Sequence, residues 1–194
     1  MTTQGRPARA IATGQRESFS RRQANAGGIT DAMLRSRIQS GNLDQLGVRT
    51  FASPYRLRTP LADLQALVAD IGAPVWACGP TAAGLHGFDG YVLRAPFHLL
   101  VERDRNVRRM GHVVHSTIAL PLIDRATVHG LASTSPTRTI IDLVRIDRNG
   151  PITAAVDSAI RDQGTSEDFL HRRIAELRSS GRYGIPRLLA VIEG

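Results

Sequence analysis

Lysine is absent from this chain: all 25 basic residues are arginine. The absence removes whole chemistries. A P-loop needs its lysine against the phosphates, a Schiff base needs a primary amine, and a nuclease core of the D…ExK kind needs its last residue. A bias of arginine over lysine also follows GC-rich coding and carries no functional weight by itself. Cysteine is nearly absent. Cys78, the single one, cannot form an internal disulfide, which fits a reducing cytoplasm. Beside Trp76 it reads as a small buried hydrophobe. No apolar run approaches the ~18 residues of a membrane span, and the opening "MTTQGRPARAIATGQ" lacks the continuous apolar core of a secretory signal. Metal-ligand spacing is missing as well. His112 and His115 stand three apart in an expected strand and project to opposite faces, while His86, His98, His129 and His171 are scattered. No metal site, no cofactor and no enzyme is expected.

What the chain does have is charge in one place. Residues 1–60 hold ten arginines against Glu17, Asp31 and Asp44, a net +7, and residues 61–194 hold fifteen arginines against fourteen acids, a net +1. Nearly all of the total of +8 therefore lies in the first third. A localised basic patch attracts polyanions through phosphate contacts and counterion release. Arg6, Arg9 and Arg16 fit a disordered basic leader. Those from Arg21 to Arg49 lie within patterned sequence and do not.

That pattern divides the chain. Residues 1–17 form a basic, poorly anchored leader, with at most a weak helix over Pro7–Thr13. Ser20-Arg21-Arg22-Gln23 is a capping box with Phe19 before it, and Gly27-Gly28 breaks the helix it opens. Thr30 caps a second helix, Ile29 and Leu34 occupy staple positions, and Gly41 is the natural stop. At ~100° per residue, Leu34 and Ile38 share one side of that helix, and Ala32, Arg35, Ser36 and Gln39 share the other. "LGVRTFAS" and "YRLR" read as short β segments around Pro54. Pro60 behind Thr59 starts a helix with the stripe Leu61, Leu64, Leu67, Val68 and Ile71.

Further on come the strand "PVWAC", the small-residue turn-helix "GPTAAGLHGFDG", and the strands "FHLLV" and "GHVVHS" joined by a basic turn. A hairpin is expected at "RATVHGLAST", bending at His129-Gly130. Ser135-Pro136 opens "TRTIIDLVR". Its Ser, Thr, Arg and Asp suggest chemistry at first sight, but a cap and a packed helix explain them, with Asp142 pairing Arg138 at i, i+4. Ile152, Ala155, Val156, Ala159 and Ile160 mark the next helix by spacing, and Thr165 and Asp168 begin another.

Two helices at a tight joint followed by a β-hairpin is the plan of a winged helix-turn-helix, whose second helix enters the major groove. On the outward face, arginine pairs with guanine, glutamine pairs with adenine, and a small residue such as Ala32 permits close approach. The base-facing candidates are Arg35, Ser36 and Gln39. Thr30 stands at the helix start, and Arg21, Arg22, Arg37 and Arg49 are expected to contact the backbone, which positions without reading. A solvated face on a short helix accounts for the same residues, since helix-turn-helix shapes also occur in hairpins that bind nothing. The segment's net charge favours DNA.

The stretch "FSRRQANAGGITDAMLRSRIQSGNLDQLGVRTFAS" resembles the N-terminal winged helix of AbiEi-type antitoxin-like regulators from actinobacteria. "GPTAAGLHGFDG", "HLLVERDRNVRRMGHVVHST", "LASTSPTRTIIDLV" and "GRYGIPRLLAVIEG" are similar to successive blocks of the domain that follows it. The resemblance implies an α+β protein. A winged helix-turn-helix over residues 18–58 would precede, over 59–194, a mixed α/β antitoxin-type domain with a small, mainly antiparallel sheet and C-terminal helices. It implies a cytoplasmic autorepressor of a toxin–antitoxin operon that binds double-stranded DNA at an inverted-repeat operator and opposes a nucleotidyltransferase-like toxin. Many relatives continue into a very-short-patch-repair-like endonuclease domain. The alternatives are therefore the DNA-targeting portion of such a nuclease, or a protein-interaction module. Arg103, Arg105, Arg108 and Arg109 form a second basic cluster, read as a solvated turn.

Overall fold

The computed structural model describes residues 18–72, 74–103, 107–162, 164–178 and 185–193. The leader at 1–17, Arg105 of the second basic cluster, and residues 181–184 of the last quoted motif lie outside them. The chain divides into two compact units, Met1–Ala73 and Pro74–Gly194.

In the first unit, strand β1 (Ser18–Ser20) runs directly into α1 (Arg21–Ala26), and α2 (Asp31–Gln39) follows after a four-residue joint. The hairpin β2 (Asp44–Gln45) and β3 (Thr50–Ala52) comes next, then α3 (Pro60–Ile71). The sheet order is β1-β3-β2, all antiparallel, with Phe19 opposite Phe51. Both expected caps are present. Ser20 accepts from the Gln23 amide while Gln23 reaches back, and Thr30 accepts from the Met33 amide. Phe19, Ala24, Ile29, Leu34, Leu43 and Phe51 form the core of this unit, with Met33 and Ile38 packed against it.

Two expectations change here. "YRLR" is no strand, because Tyr55 and Leu57 are exposed beyond Pro54. The partner of β3 is instead the upstream pair Asp44–Gln45, brought back by a turn at 46–49. In addition, α3 packs on β1 and β3, so the first unit extends one helix past the expected division at 58/59.

The second unit contains β4 (Trp76–Ala77), α4 (Gly79–His86), β5 (His98–Glu102) and β6 (Val113–Thr117). A single 3-10 turn at Leu122–Asp124 leads into β7 (Arg125–Val128) and β8 (Leu131–Thr134). Helices α5 (Pro136–Ile146), α6 (Ile152–Arg161), α7 (Glu167–Arg178) and α8 (Ile185–Glu193) complete it. The five-stranded sheet runs β6-β5-β4-β8-β7 and is mixed. β4 with β5 and β7 with β8 are antiparallel, whereas β5 with β6 and β4 with β8 are parallel.

The β7–β8 hairpin is as expected, and His129 and Gly130 both take positive φ at its bend (49° and 74°). Two such residues make the turn that matches the natural twist of a two-residue hairpin. The strands "FHLLV" and "GHVVHS" do pair, but in parallel, so they are not the two arms of a hairpin. Apolar faces of α5, α6, α7 and α8 meet around Ile140, Leu143, Ile152, Val156, Leu170 and Leu188. Ser135 caps α5 as expected, and α7 is capped by Ser166, one residue past Thr165.

Candidate nucleic-acid interface

The joint between α1 and α2 is tight because its backbone groups are satisfied locally. Gly27 and Ile29 donate to carbonyls of α1, and Gly28 takes the left-handed turn with φ of 79°. Leu34 is fully buried, and Met33 and Ile38 are half-buried beside it, so one side of α2 is fixed to the core. Burying a leucine is worth about 2 kcal/mol, which also fixes which side faces out. Ala32, Arg35, Ser36 and Gln39 are all exposed on that outer side. Thr30 is exposed at the start of α2, its hydroxyl occupied by the Met33 amide.

The arginines expected on the nucleic-acid backbone separate into different situations. Arg22 is exposed on α1. Arg21 is engaged: its guanidinium lies 3.1 Å from Asp31 and 5.5 Å over the Phe51 ring, tying α1 to the first turn of α2. Arg37 is half-buried in the last turn of α2. Arg49 sits on the hairpin turn, exposed, with its guanidinium alongside Gly72 at the end of α3. Arg56 pairs with Asp63 at 3.3 Å.

The second unit holds a buried ionic cluster that the sequence pattern shows only in part. The expected Arg138–Asp142 pair is present at 2.9 Å. Its centre, however, is Asp124, which accepts Arg138 at 2.7 Å and Arg173 through two hydrogen bonds. Burial pushes the Asp124 carboxyl up, and the two guanidinium groups outweigh it, holding the carboxyl below its ordinary range. Asp124 and Arg173 are 49 residues apart, and nothing local pairs them.

His98 and His115, scattered in the sequence, meet across β5 and β6 with Nδ1 3.1 Å from Nε2. Burial pushes both imidazoles below their ordinary value. His112 faces elsewhere and accepts from the Phe97 amide. Among the described residues no group of three or more histidine, cysteine or acidic side chains gathers as metal ligands. Cys78 is buried, and its thiol is pushed far up by desolvation, so it is no nucleophile. No helix among the described residues is long and apolar enough to cross a membrane.

Residues 75–190 match the family model of the AbiEi antitoxin C-terminal domain, a span that is nearly the whole second unit. The chain belongs to that family. Two curated relatives, the uncharacterized proteins MT2308 and Rv2248 of Mycobacterium tuberculosis (strains CDC 1551 / Oshkosh and ATCC 25618 / H37Rv), are 30% identical over 159 residues. The matched region covers 81% of this chain and 55% of theirs, so the chain spans about half the length of these relatives. The crystal structure of the RV2827C protein from Mycobacterium tuberculosis is similar in fold, with a TM-score of 0.64 over 95% of this chain and 75% of that one, at 17% identity.

Proposed function

We propose that this chain is a DNA-binding transcriptional regulator, the antitoxin-like autorepressor of a toxin–antitoxin operon. The observation that carries the reading is α2: its apolar side is locked into a core while Ala32, Arg35, Ser36 and Gln39 stand exposed one helical turn apart. The order strand, helix, tight joint, helix, hairpin supports a winged helix-turn-helix. In it α2 enters the major groove, and Arg35 and Gln39 face guanine and adenine. Arg22, Arg37 and Arg49 then hold the phosphates, and Arg21 braces the two helices. Membership in the antitoxin family supports the regulatory role and a functional link to a nucleotidyltransferase-like toxin. An operator with inverted-repeat symmetry and a cytoplasmic location go with it.

A footprint on the gene's own upstream region tests the reading. Wild type protects an inverted repeat. Arg35→Ala combined with Gln39→Ala loses preference at particular bases, each good pair being worth about 1–3 kcal/mol. An unchanged footprint from the double variant overturns the assignment of α2. Absence of any duplex affinity at low salt leaves the protein-interaction reading in its place.

A further inference from the structure

Arg49 is held by its backbone from two directions. Its amide donates to Asp70 Oδ1 at 2.6 Å, and its carbonyl accepts the Arg21 amide at 2.7 Å. Asp70 belongs to the last turn of α3, is 6% exposed, and accepts the Thr50 hydroxyl at 3.4 Å on the same oxygen. A carboxylate is taken out of water only where hydrogen bonds replace its hydration. Here those bonds go to the turn of the β2–β3 hairpin.

Gly47 makes the approach possible. A Cβ there would sit 2.5 Å from the Asp70 carboxylate, closer than any side chain permits. β3 itself is held by β1 and by Phe51 in the core, but the β2 arm pairs with β3 over just two residues. The amides of Leu46 and Gly47 close the turn onto the Thr50 carbonyl, and Val48 at its tip is 72% exposed. So short a ladder leaves the tip free to swing unless something outside the hairpin anchors it.

We propose that Asp70 is a positioning residue for nucleic-acid binding. It latches the hairpin turn to α3, so that Val48 and Arg49 meet duplex DNA in a fixed place beside the helix that reads it. This rests on the DNA-binding reading above. An asparagine oxygen in the same place can still accept the Arg49 amide, though more weakly than an ionised carboxylate.

The test uses the full chain as wild type, Asp70→Asn, Asp70→Ala and Gly47→Ala. The last drives a methyl group into the latch without removing the carboxylate. Two readouts apply: exchange of the Arg49 amide by NMR, and affinity for the footprinted duplex across a salt series. Asp70→Ala and Gly47→Ala are expected to speed exchange at Arg49, with the Leu34 amide unchanged, and to weaken binding about tenfold, the loss of one anchoring hydrogen bond. The salt slope falls by about 0.9, one phosphate contact. Asp70→Asn stays within about twofold of wild type, its Oδ1 still accepting. Should Asp70→Ala unfold the first unit, Gly47→Ala decides. Wild-type exchange at Arg49 in Gly47→Ala, or unchanged affinity and slope, overturns the latch while leaving DNA binding intact. Equal losses from Asp70→Asn and Asp70→Ala overturn it too. A wild type that binds no duplex sinks the underlying reading, and this inference with it.

Discussion

Arg173 grips Asp124 with two parallel hydrogen bonds, Nε to Oδ1 at 2.9 Å and Nη2 to Oδ2 at 2.8 Å. The contact fastens α7 to the turn that feeds β7, and Arg138 on α5 reaches the same carboxylate. Three elements distant in sequence thus share one buried anion. Removing one partner leaves the others buried and underpaired. Arg173→Ala is therefore expected to destabilise the second unit by about 3–5 kcal/mol. Lysine cannot reproduce the planar two-bond grip, so Arg173→Lys recovers part of that loss at most. Urea unfolding of both variants measures it. A loss below about 1 kcal/mol for Arg173→Ala, the range of an exposed pair, would contradict the clustered geometry.

The same carboxylate sets an acid limit. Its folded value lies below the ordinary 3.8, so the unfolded chain takes up the proton first as pH falls. The stabilisation is complete above about 3.8, and it is lost as pH falls from there through the folded value. Denaturant midpoints measured between pH 5 and 2 should fall less steeply in Asp124→Asn than in wild type.

The His98–His115 pair makes a different prediction at milder pH. Burial is the largest cause lowering both imidazoles. Near His115 the charges of His98 and Arg145 add to it and Asp142 opposes, and near His98 Asp147 opposes. The unfolded chain then binds protons at about 6.5 while the folded pair does not. Stability from the pair is present above 6.5 and declines as pH falls below it towards the folded values. The double variant His98→Asn, His115→Gln should flatten the change in unfolding midpoint between pH 7.5 and 5.5. His86 and His112, also lowered by burial, add to the slope in the same direction.

Arg21 and Arg22 are adjacent, yet the fold gives them different surroundings, Arg21 against Asp31 and the Phe51 ring and Arg22 exposed. Arg22→Ala should leave thermal stability unchanged, weaken duplex binding evenly across sequences, and lower the salt slope by about 0.9. Arg21→Ala should cost stability of the first unit, by about 0.5–1 kcal/mol for an exposed ion pair, with the ring contact to Phe51 adding to the loss. Parallel melting and salt-series measurements separate the two. Equal melting temperatures for both variants would show that the Asp31 pair contributes nothing.

The caps were legible because their chemistry is local. Ser20 and Gln23, Thr30, Thr59 with Pro60, and Ser135 with Pro136 each satisfy backbone groups within three residues. The outward face of α2 was legible for the same reason, since helical spacing alone separates Leu34 from Arg35. The Arg138–Asp142 pair, one turn apart, belongs with these. The short strand Asp44–Gln45 was not legible, because two residues carry no periodicity, and the Arg49 amide in the turn beyond it bonds to Asp70 on another helix.

The sequence by itself determined where helices begin, which side of each is apolar, and where arginine accumulates, because all three follow from neighbours along the chain. Tertiary structure alone decided that β5 and β6 run parallel and bring His98 to His115. It also decided that Asp124 is the shared anion of Arg138 and Arg173, and that the Arg49 amide meets a carboxylate of α3. Strand direction and the meeting of residues tens of positions apart are settled by how whole faces pack and by which buried charge must be paired, and no local pattern encodes either.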